Sequence, residues 1–323
     1  MTRKQVLTTL LGLVLIAAMA LVPMYVKKDS TINLIVMVLL YVSLASSWNI
    51  LGGFAGQVNL GHAAFFGLGT LVTRSLWLSG WPLWAAMLAG GIVPVLLGLL
   101  IGIPAFKLRG AYFSIGTLAL GQVLYVIVGN RWPLITSLPV KYLGSYSLAP
   151  RYYLFLGVAL VTVGAAYILM RSRFGLGLAA IREEEDAAES LGVSARRHKI
   201  LALSLSAFFA GLTGGAFAFY HVGYYPQFPF GPVWSFDAVT IAFIGGTGTI
   251  IGPIVGGIFY VVLKELLALR LVEIHLTVFG ILFVLIVLFL PGGLVEAWQK
   301  VRDAFARRSG RPKVGRPLPQ GEN

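Results

Sequence analysis

The feature that most constrains this chain is a series of apolar runs of about 20 residues, each separated from the next by a short polar turn. A soluble domain carries roughly 25% charged residues, whereas this chain of 323 residues has 11% charged and 58% hydrophobic residues. In lipid, such a run can satisfy its own backbone hydrogen bonds only as a helix or within a closed barrel. The sequence therefore predicts an all-α, polytopic membrane protein of about ten transmembrane helices.

The predicted spans differ in how clearly their ends are marked. Their approximate limits are 6–26, 31–51, a third ending near 78, 83–106, 111–129, 152–170, 200–221, an imperfect eighth from about 235, a ninth ending near 269, and 275–290. Most of the 25 Lys and Arg residues fall on the side that holds both termini, which the positive-inside rule assigns to the cytoplasm. Residues 1–300 are thus predicted to form the membrane domain, and 301–323 a basic, disordered cytoplasmic tail.

Two glycine-rich stretches, 52–69 and 245–257, interrupt the apolar pattern and predict broken or re-entrant segments. Broken helices are tolerated at membrane depth where protein or a water-filled cavity satisfies the freed backbone groups, and in transporters they often flank the permeation path. The alternative is close helix packing through small residues, which requires no substrate. The residues predicted to line a neutral, polar translocation pathway are Gln57, Asn59, His62, Gln122, Gly245, Gly246 and Thr247.

The most charged stretch, 171–199, is predicted to lie in water between two spans because ionic side chains are expensive in hydrocarbon. Gly192 is expected to end its helix, and Arg182 with Asp186 forms an i,i+4 pair of opposite sign. The apolar residues predicted to share one helix face are Leu178, Ile181, Ala188 and Leu191. Two interpretations stay open for this stretch: a docking helix for another protein, or a solvated cytoplasmic loop.

Motifs for nucleotide, metal or catalytic sites are absent from the sequence. It contains no phosphate-binding G-x-x-x-x-G-K-[ST] loop, no H-E-x-x-H, no cysteine and only four scattered histidines. The expectation is therefore no catalytic residue, no metal and no cofactor bound by this chain. The basic residues bound the apolar runs, which points to the lipid bilayer as partner and away from nucleic acid.

Acidic residues are scarce inside the predicted spans, where Asp237 lies near a span start and Glu265 beside Lys264. A carrier driven by protons or sodium normally buries carboxylates near mid-membrane. The sequence therefore favours an external source of driving energy, and a secondary carrier acting alone is the alternative of a different class.

Four segments in the same order resemble the permeases of bacterial ABC importers for branched-chain amino acids, above all the M-type subunit. They are GGFAGQVNLGHAAFFGLGTL (52–71), RFGLGLAAIREEEDAAESLGV (173–193), SAFFAGLTGGAFA (206–218) and FIGGTGTIIGPIVGGIF (243–259). The permeases of urea and short-chain amide importers share this pattern, so both cargo classes stay open.

The resemblance implies a cytoplasmic coupling helix that docks on an ATPase subunit, with a consensus of Glu-Ala-Ala, three residues and then Gly. Here the segment at 186–192 reads DAAESLG, so Asp stands for Glu, and the consensus proline downstream is missing. The residues assigned to ATPase coupling are Arg182, Glu184, Glu185, Asp186, Ala187, Ala188, Leu191 and Gly192.

The resemblance also implies an assembly in the bacterial inner membrane. Its members are a homologous permease subunit that completes a heterodimer, two ABC ATPase subunits that use ATP and Mg, and a periplasmic substrate-binding protein.

Overall fold

The computed structural model describes residues 3–108, 110–144, 146–270 and 292–308, with 278, 280, 281, 284, 285 and 288 between the last two ranges. Almost all of its regular structure is helical. The helices are α1 (Arg3–Tyr25), α2 (Asp29–Leu51), α3 (His62–Leu78), α4 (Leu83–Ala105), α5 (Ala111–Arg131), α6 (Val140–Leu143), α7 (Leu148–Arg171), α8 (Arg173–Glu183), α9 (Glu185–Ser190), α10 (Ala195–Tyr220), α11 (Pro232–Gly245), α12 (Gly252–Arg270) and α13 (Gly293–Arg308). Two short strands, β1 (Thr136–Ser137) and β2 (Gly223–Tyr224), pair antiparallel. A single 3-10 turn (Phe228–Phe230) precedes α11.

Five helices in the described part of the chain are long and apolar enough to cross a membrane: α2, α4, α5, α7 and α10. Two apolar segments, Ile16–Tyr25 of α1 and the whole of α11, are shorter. This composition confirms the prediction of an all-α membrane protein with several spanning helices. Most of the predicted span 275–290 lies outside the described residues.

Two of the spanning helices form the centre of the bundle. In the most apolar stretch of α2, 78% of the residues are buried, and in that of α10 the share is 67%. Helix α10 packs on α2, α3 and α4, while α2 also contacts α7, α11 and α12. Helix α5 is the most peripheral, with 17% of its residues buried. The bundle therefore has a dry centre and one helix whose surface is largely open.

Glycines on α10 allow close approach of neighbouring helices. Gly211 lies between Gly69 of α3 and Gly90 of α4, and a methyl group on any of the three would collide with the backbone of a neighbour. Gly214 meets the backbone of Phe66 in the same way. Small residues at such crossings bring helix backbones into van der Waals contact.

The end of the bundle that carries β1 and β2, called here the hairpin end, is held by a buried arginine. Arg74 of α3 is 2% exposed and donates hydrogen bonds to the carbonyl oxygens of Ala218, His221, Val222 and Thr136. The first two belong to the last turn of α10 and its C-cap, whose carbonyls have no partner within the helix. A guanidinium at a helix C-terminus is also favoured by the helix dipole.

The charged stretch differs from the single helix predicted for it. Glu184 is extended (φ −156°, ψ 111°), so the stretch forms two helices, α8 and α9. Leu178, Ile181 and Ala188 are buried as predicted, but Leu191 is 85% exposed because the break turns α9 away from the shared face. Arg182 and Asp186 consequently do not lie one turn apart on one helix. Gly192 adopts a positive φ of 88° just beyond α9, which confirms it as the stop.

Part of the predicted disordered tail is helical. Helix α13 extends to Arg308, so residues 301–308 are helical. The rest of the tail, 309–323, lies outside the described residues.

Candidate functional site: two glycine breaks and the charged loop

The first break, residues 52–61, follows α2 and is held by side chains from its surroundings. The indole of Trp48 donates to the carbonyl of Asn59 (2.8 Å). From α5, Ser114 Oγ donates to the carbonyl of Val58 (2.8 Å), and Thr117 Oγ1 accepts from the Leu60 amide (3.2 Å). Protein groups thus satisfy the freed backbone, as expected for a broken segment at membrane depth.

The second break, residues 246–251, separates α11 from α12. Gly246 and Gly248 have positive φ values of 122° and 76°, which L-residues with a side chain rarely adopt. Thr249 then caps α12, since its hydroxyl accepts from the Gly252 amide (2.9 Å) and donates to the Gly246 carbonyl (2.9 Å). This break is therefore a turn with a defined backbone conformation that ends in a capped helix.

The two breaks meet at the last turn of α2. Asn49 Oδ1 accepts from the Gly248 amide, and Asn49 Nδ2 donates to the Thr249 carbonyl, both at 2.9 Å. A Cβ on Gly53 would lie 2.6 Å from the Gly248 nitrogen, so the two backbones touch. Sequence reasoning missed Asn49, although an amide near the end of an otherwise apolar helix is a recognisable signal.

The seven residues predicted to line a pathway do not share one surface. Asn59 and His62 are buried, the former accepting from the Gly61 amide and the latter lying 2.9 Å from Ser47 Oγ. Gln57 is half-buried in the first break, and Gln122 is exposed halfway along α5. In the second break, Gly245 and Gly246 are buried and Thr247 is half-buried. These residues therefore form three groups: a buried pair, the two breaks, and an isolated amide on the open helix.

The charged loop is braced against the base of α10. The buried amine of Lys199 forms an ion pair with Glu185 of α9. Ile181, Ala188 and Ala195 form a small apolar cluster beneath the loop. Ala188 is 2% exposed, so this predicted coupling residue holds the loop together and is not available at its surface.

The outer surface of the loop, called here the α9 face, combines charged, small and apolar residues. Arg182 and Glu184, also assigned to coupling, are exposed on the preceding turn. The exposed members of the α9 face are Asp186, Ala187, Glu189, Ser190, Leu191 and Gly192. Leu191, which is 85% exposed, lies at the tip of this braced turn among small and charged residues.

A buried ionic cluster in the spans involves contacts that sequence reasoning did not predict. Asp237 lies near the start of α11, as predicted, and is 9% exposed. Tyr41 OH and Tyr260 OH donate to its carboxylate (3.1 and 2.5 Å), and Lys264 Nζ lies 3.8 Å away. Asp237 is thus a buried carboxylate that is paired with a lysine and accepts hydrogen bonds from two phenols, within spans where acidic groups were expected to be scarce.

Comparisons with known proteins agree on one family. The family described as "Branched-chain amino acid transport system / permease component" matches residues 30–287. The chain is 26% identical over 318 residues to the high-affinity branched-chain amino acid transport system permease protein LivM of Escherichia coli strain K12, covering 88% of this chain and 74% of that relative. For the LivM protein of Salmonella typhimurium strain LT2 the values are 27% over 324 residues, 90% and 75%.

The name of another relative, matched over a shorter part of the chain, indicates a different cargo. The autoinducer 2 import system permease protein LsrC of Yersinia pestis strain Pestoides F is 29% identical over 205 residues, which cover 59% of this chain and 56% of that relative. No solved structure matches significantly. The family match extends from α2 through α12 and includes both breaks and the braced loop. On that match, the chain is a multi-pass membrane protein that belongs to the family of permease components of branched-chain amino acid transport systems.

Proposed function

We propose that this chain forms, with a homologous permease subunit, the inner-membrane pathway of a bacterial ABC importer whose cargo is a branched-chain or other hydrophobic amino acid. Two separate ATPase subunits bind ATP and Mg and drive the movement, and a periplasmic binding protein delivers the cargo. The observation that carries the proposal is the α9 face, an exposed Leu191 on a loop braced by the Lys199–Glu185 ion pair. A solvated loop without a partner needs neither the brace nor the exposed leucine.

The proposed topology has ten crossings: α1, α2, α3, α4, α5, α7, α10, α11, α12 and the stretch 275–290. With this order, the charged loop, the second break and α13 share one side of the membrane. That arrangement is supported by the close approach of Gly293 at the start of α13 to Gly246. The positive charges of the loop and of α13 support a cytoplasmic position for this side and for both termini.

The proposed cargo path runs beside α5, the helix with the most open surface. Gln122 is exposed halfway along it, and an amide facing lipid at that depth is unfavourable. A second permease subunit or a polar passage against this face removes that cost. The two breaks then lie on the cytoplasmic side of the path, where movements of the charged loop reach them directly.

Reconstitution tests this function. Proteoliposomes containing both permease subunits and the ATPases, supplied with the loaded binding protein, should accumulate radiolabelled leucine only with ATP on the ATPase side. An ATPase variant that binds but does not hydrolyse ATP is the control. Uptake of urea in place of leucine would indicate that the chain belongs to a urea or amide importer. Uptake by this chain alone under an ion gradient would indicate a secondary carrier.

A further inference from the structure

Arg182 connects the charged loop to the transmembrane core. It is the penultimate residue of α8, two residues before the extended Glu184 and close in sequence to the α9 face. Its Nη1 donates a 2.8 Å hydrogen bond to the carbonyl of Gly53, in the first break. That carbonyl follows the last turn of α2, where backbone acceptors lack helical partners and a cation is favoured.

The same side chain also reaches the second break. A Cβ on Gly248 would collide with Arg182 Nη1 and lie 3.0 Å from the Gly53 carbonyl. A Cβ on Gly56 would lie 3.3 Å from Arg182 Cγ. The aliphatic part of the arginine therefore lies along Gly56, and its guanidinium fills the space between Gly53 and Gly248. Both breaks are shaped around this one side chain.

The opposite side of the loop is attached to a different helix. Lys199 of α10 pairs with Glu185, and Ala195 of α10 packs against Ile181 and Ala188. The loop thus contacts α10 through one set of residues and the α2–α11–α12 junction through Arg182. The loop also follows directly from α7, which contacts α8. Of these attachments, the side chain of Arg182 is the one that reaches the glycine breaks.

We propose that Arg182 is the positioning residue that transmits displacement of the α9 face to the two glycine breaks, and so links ATP hydrolysis to opening of the path. This inference rests on the proposed function. Arginine suits the role because its planar fork can hold one carbonyl while its charge faces a second backbone turn. A lysine offers a single ammonium on a flexible stem and fixes the same geometry less tightly.

The test compares three variants in the complete reconstituted complex. Arg182→Gln removes the guanidinium, and Arg182→Lys keeps the charge. Arg196→Gln is the matched control, since Arg196 is an exposed arginine in the first turn of α10, beside the same loop. The measured quantities are co-purification of the ATPases, ATP hydrolysis, and leucine accumulated per ATP hydrolysed.

For Arg182→Gln, the complex should assemble and hydrolyse ATP, while uptake per ATP falls about tenfold, within the usual range of allosteric coupling. Arg182→Lys should lie between this variant and the wild type, and Arg196→Gln should match the wild type. Unchanged uptake per ATP in Arg182→Gln overturns the inference, and so does loss of ATPase binding, which would make Arg182 a docking residue. A wild-type complex without ATP-driven uptake would instead refute the proposed function.

A second measurement follows the break itself. Because the chain has no cysteine, Gln57→Cys places a single thiol of this subunit in the first break. Its maleimide labelling rate should change with ATP in the otherwise wild-type complex and become insensitive to ATP when Arg182→Gln is added. An ATP-dependent labelling change of the same size in both backgrounds contradicts transmission through Arg182.

Discussion

Asn49 and Gly248 are 199 residues apart in the chain, yet the Gly248 amide donates a 2.9 Å hydrogen bond to Asn49 Oδ1. A second bond runs from Asn49 Nδ2 to the Thr249 carbonyl. One buried amide therefore satisfies a donor and an acceptor of the second break and fixes it to the end of α2. The breaks on the two halves of the chain behave as one junction.

Replacement of Asn49 by Ala should destabilise this junction. The change leaves the Gly248 amide and the Thr249 carbonyl without their partner, which costs about 1–3 kcal/mol for buried polar groups. The thermal unfolding midpoint of the purified permease in detergent should fall accordingly. Gln299→Ala, which truncates an exposed amide on α13, is the control and should leave the midpoint unchanged. Equal midpoints for the two variants would show that the Asn49 hydrogen bonds do not stabilise the junction.

Alanine at Gly248 and at Gly192 should have unequal effects, although both glycines have positive φ. Gly192 faces open space, so Gly192→Ala carries only the backbone penalty of roughly 1–2 kcal/mol. Gly248→Ala carries that penalty and also drives a methyl group into the guanidinium of Arg182. The unfolding midpoint should fall further for Gly248→Ala, and a larger fall for Gly192→Ala would contradict the packing described.

The cluster around Asp237 supplies a test by double mutation. Asp237→Asn removes the counter-charge of Lys264, which is partly open at 39% side-chain exposure. The expected loss is about 1–3 kcal/mol, below the roughly 3–5 kcal/mol of a fully buried pair. Asp237→Asn combined with Lys264→Met should recover part of this loss in thermal unfolding. Glu265→Gln, an exposed acid on the same helix, is the control; additive losses in the double variant would show that the two charges do not interact.

His221 predicts a pH dependence of stability at the hairpin end. Burial, and secondarily the nearby Arg74 guanidinium, lowers the pKa of His221 from 6.5 to about 4. Between these values the unfolded chain binds a proton that the folded chain does not, so stability falls as the pH is lowered from 6.5 toward 4. Thermal unfolding across this range should show the fall in the wild type and a weaker one in His221→Gln. If the unfolding midpoints of the two proteins fell equally with pH, His221 would not be the cause of the pH dependence.

Much of the architecture could be predicted because it depends on local composition. Apolar runs of span length identified α2, α4, α5, α7 and α10, and a glycine after the charged helix identified the stop at Gly192. The two breaks were also visible, since few other residues allow a turn of that kind inside an apolar segment. Such signals need no knowledge of which helices are neighbours.

What the sequence could not predict depends on contacts between distant residues. Three such contacts join separate parts of the chain: the hydrogen bonds of Asn49 to the second break, the hydrogen bond of Arg182 to Gly53, and the ion pair of Asp237 with Lys264. Helical periodicity alone also does not predict the break at one extended residue, Glu184, or the exposure of Leu191 at the end of α9.

The central claim is that ATP hydrolysis by partner subunits acts on this chain through the α9 face. The most direct measurement is ATP-driven leucine accumulation in proteoliposomes by complexes that carry Leu191→Asp. Leu108→Asp, at an exposed leucine in the turn between α4 and α5, is the matched control. The account predicts that Leu191→Asp loses accumulation and ATPase association while the permease keeps its unfolding midpoint, and that Leu108→Asp accumulates leucine normally. Normal ATP-driven accumulation with Leu191→Asp would contradict the account.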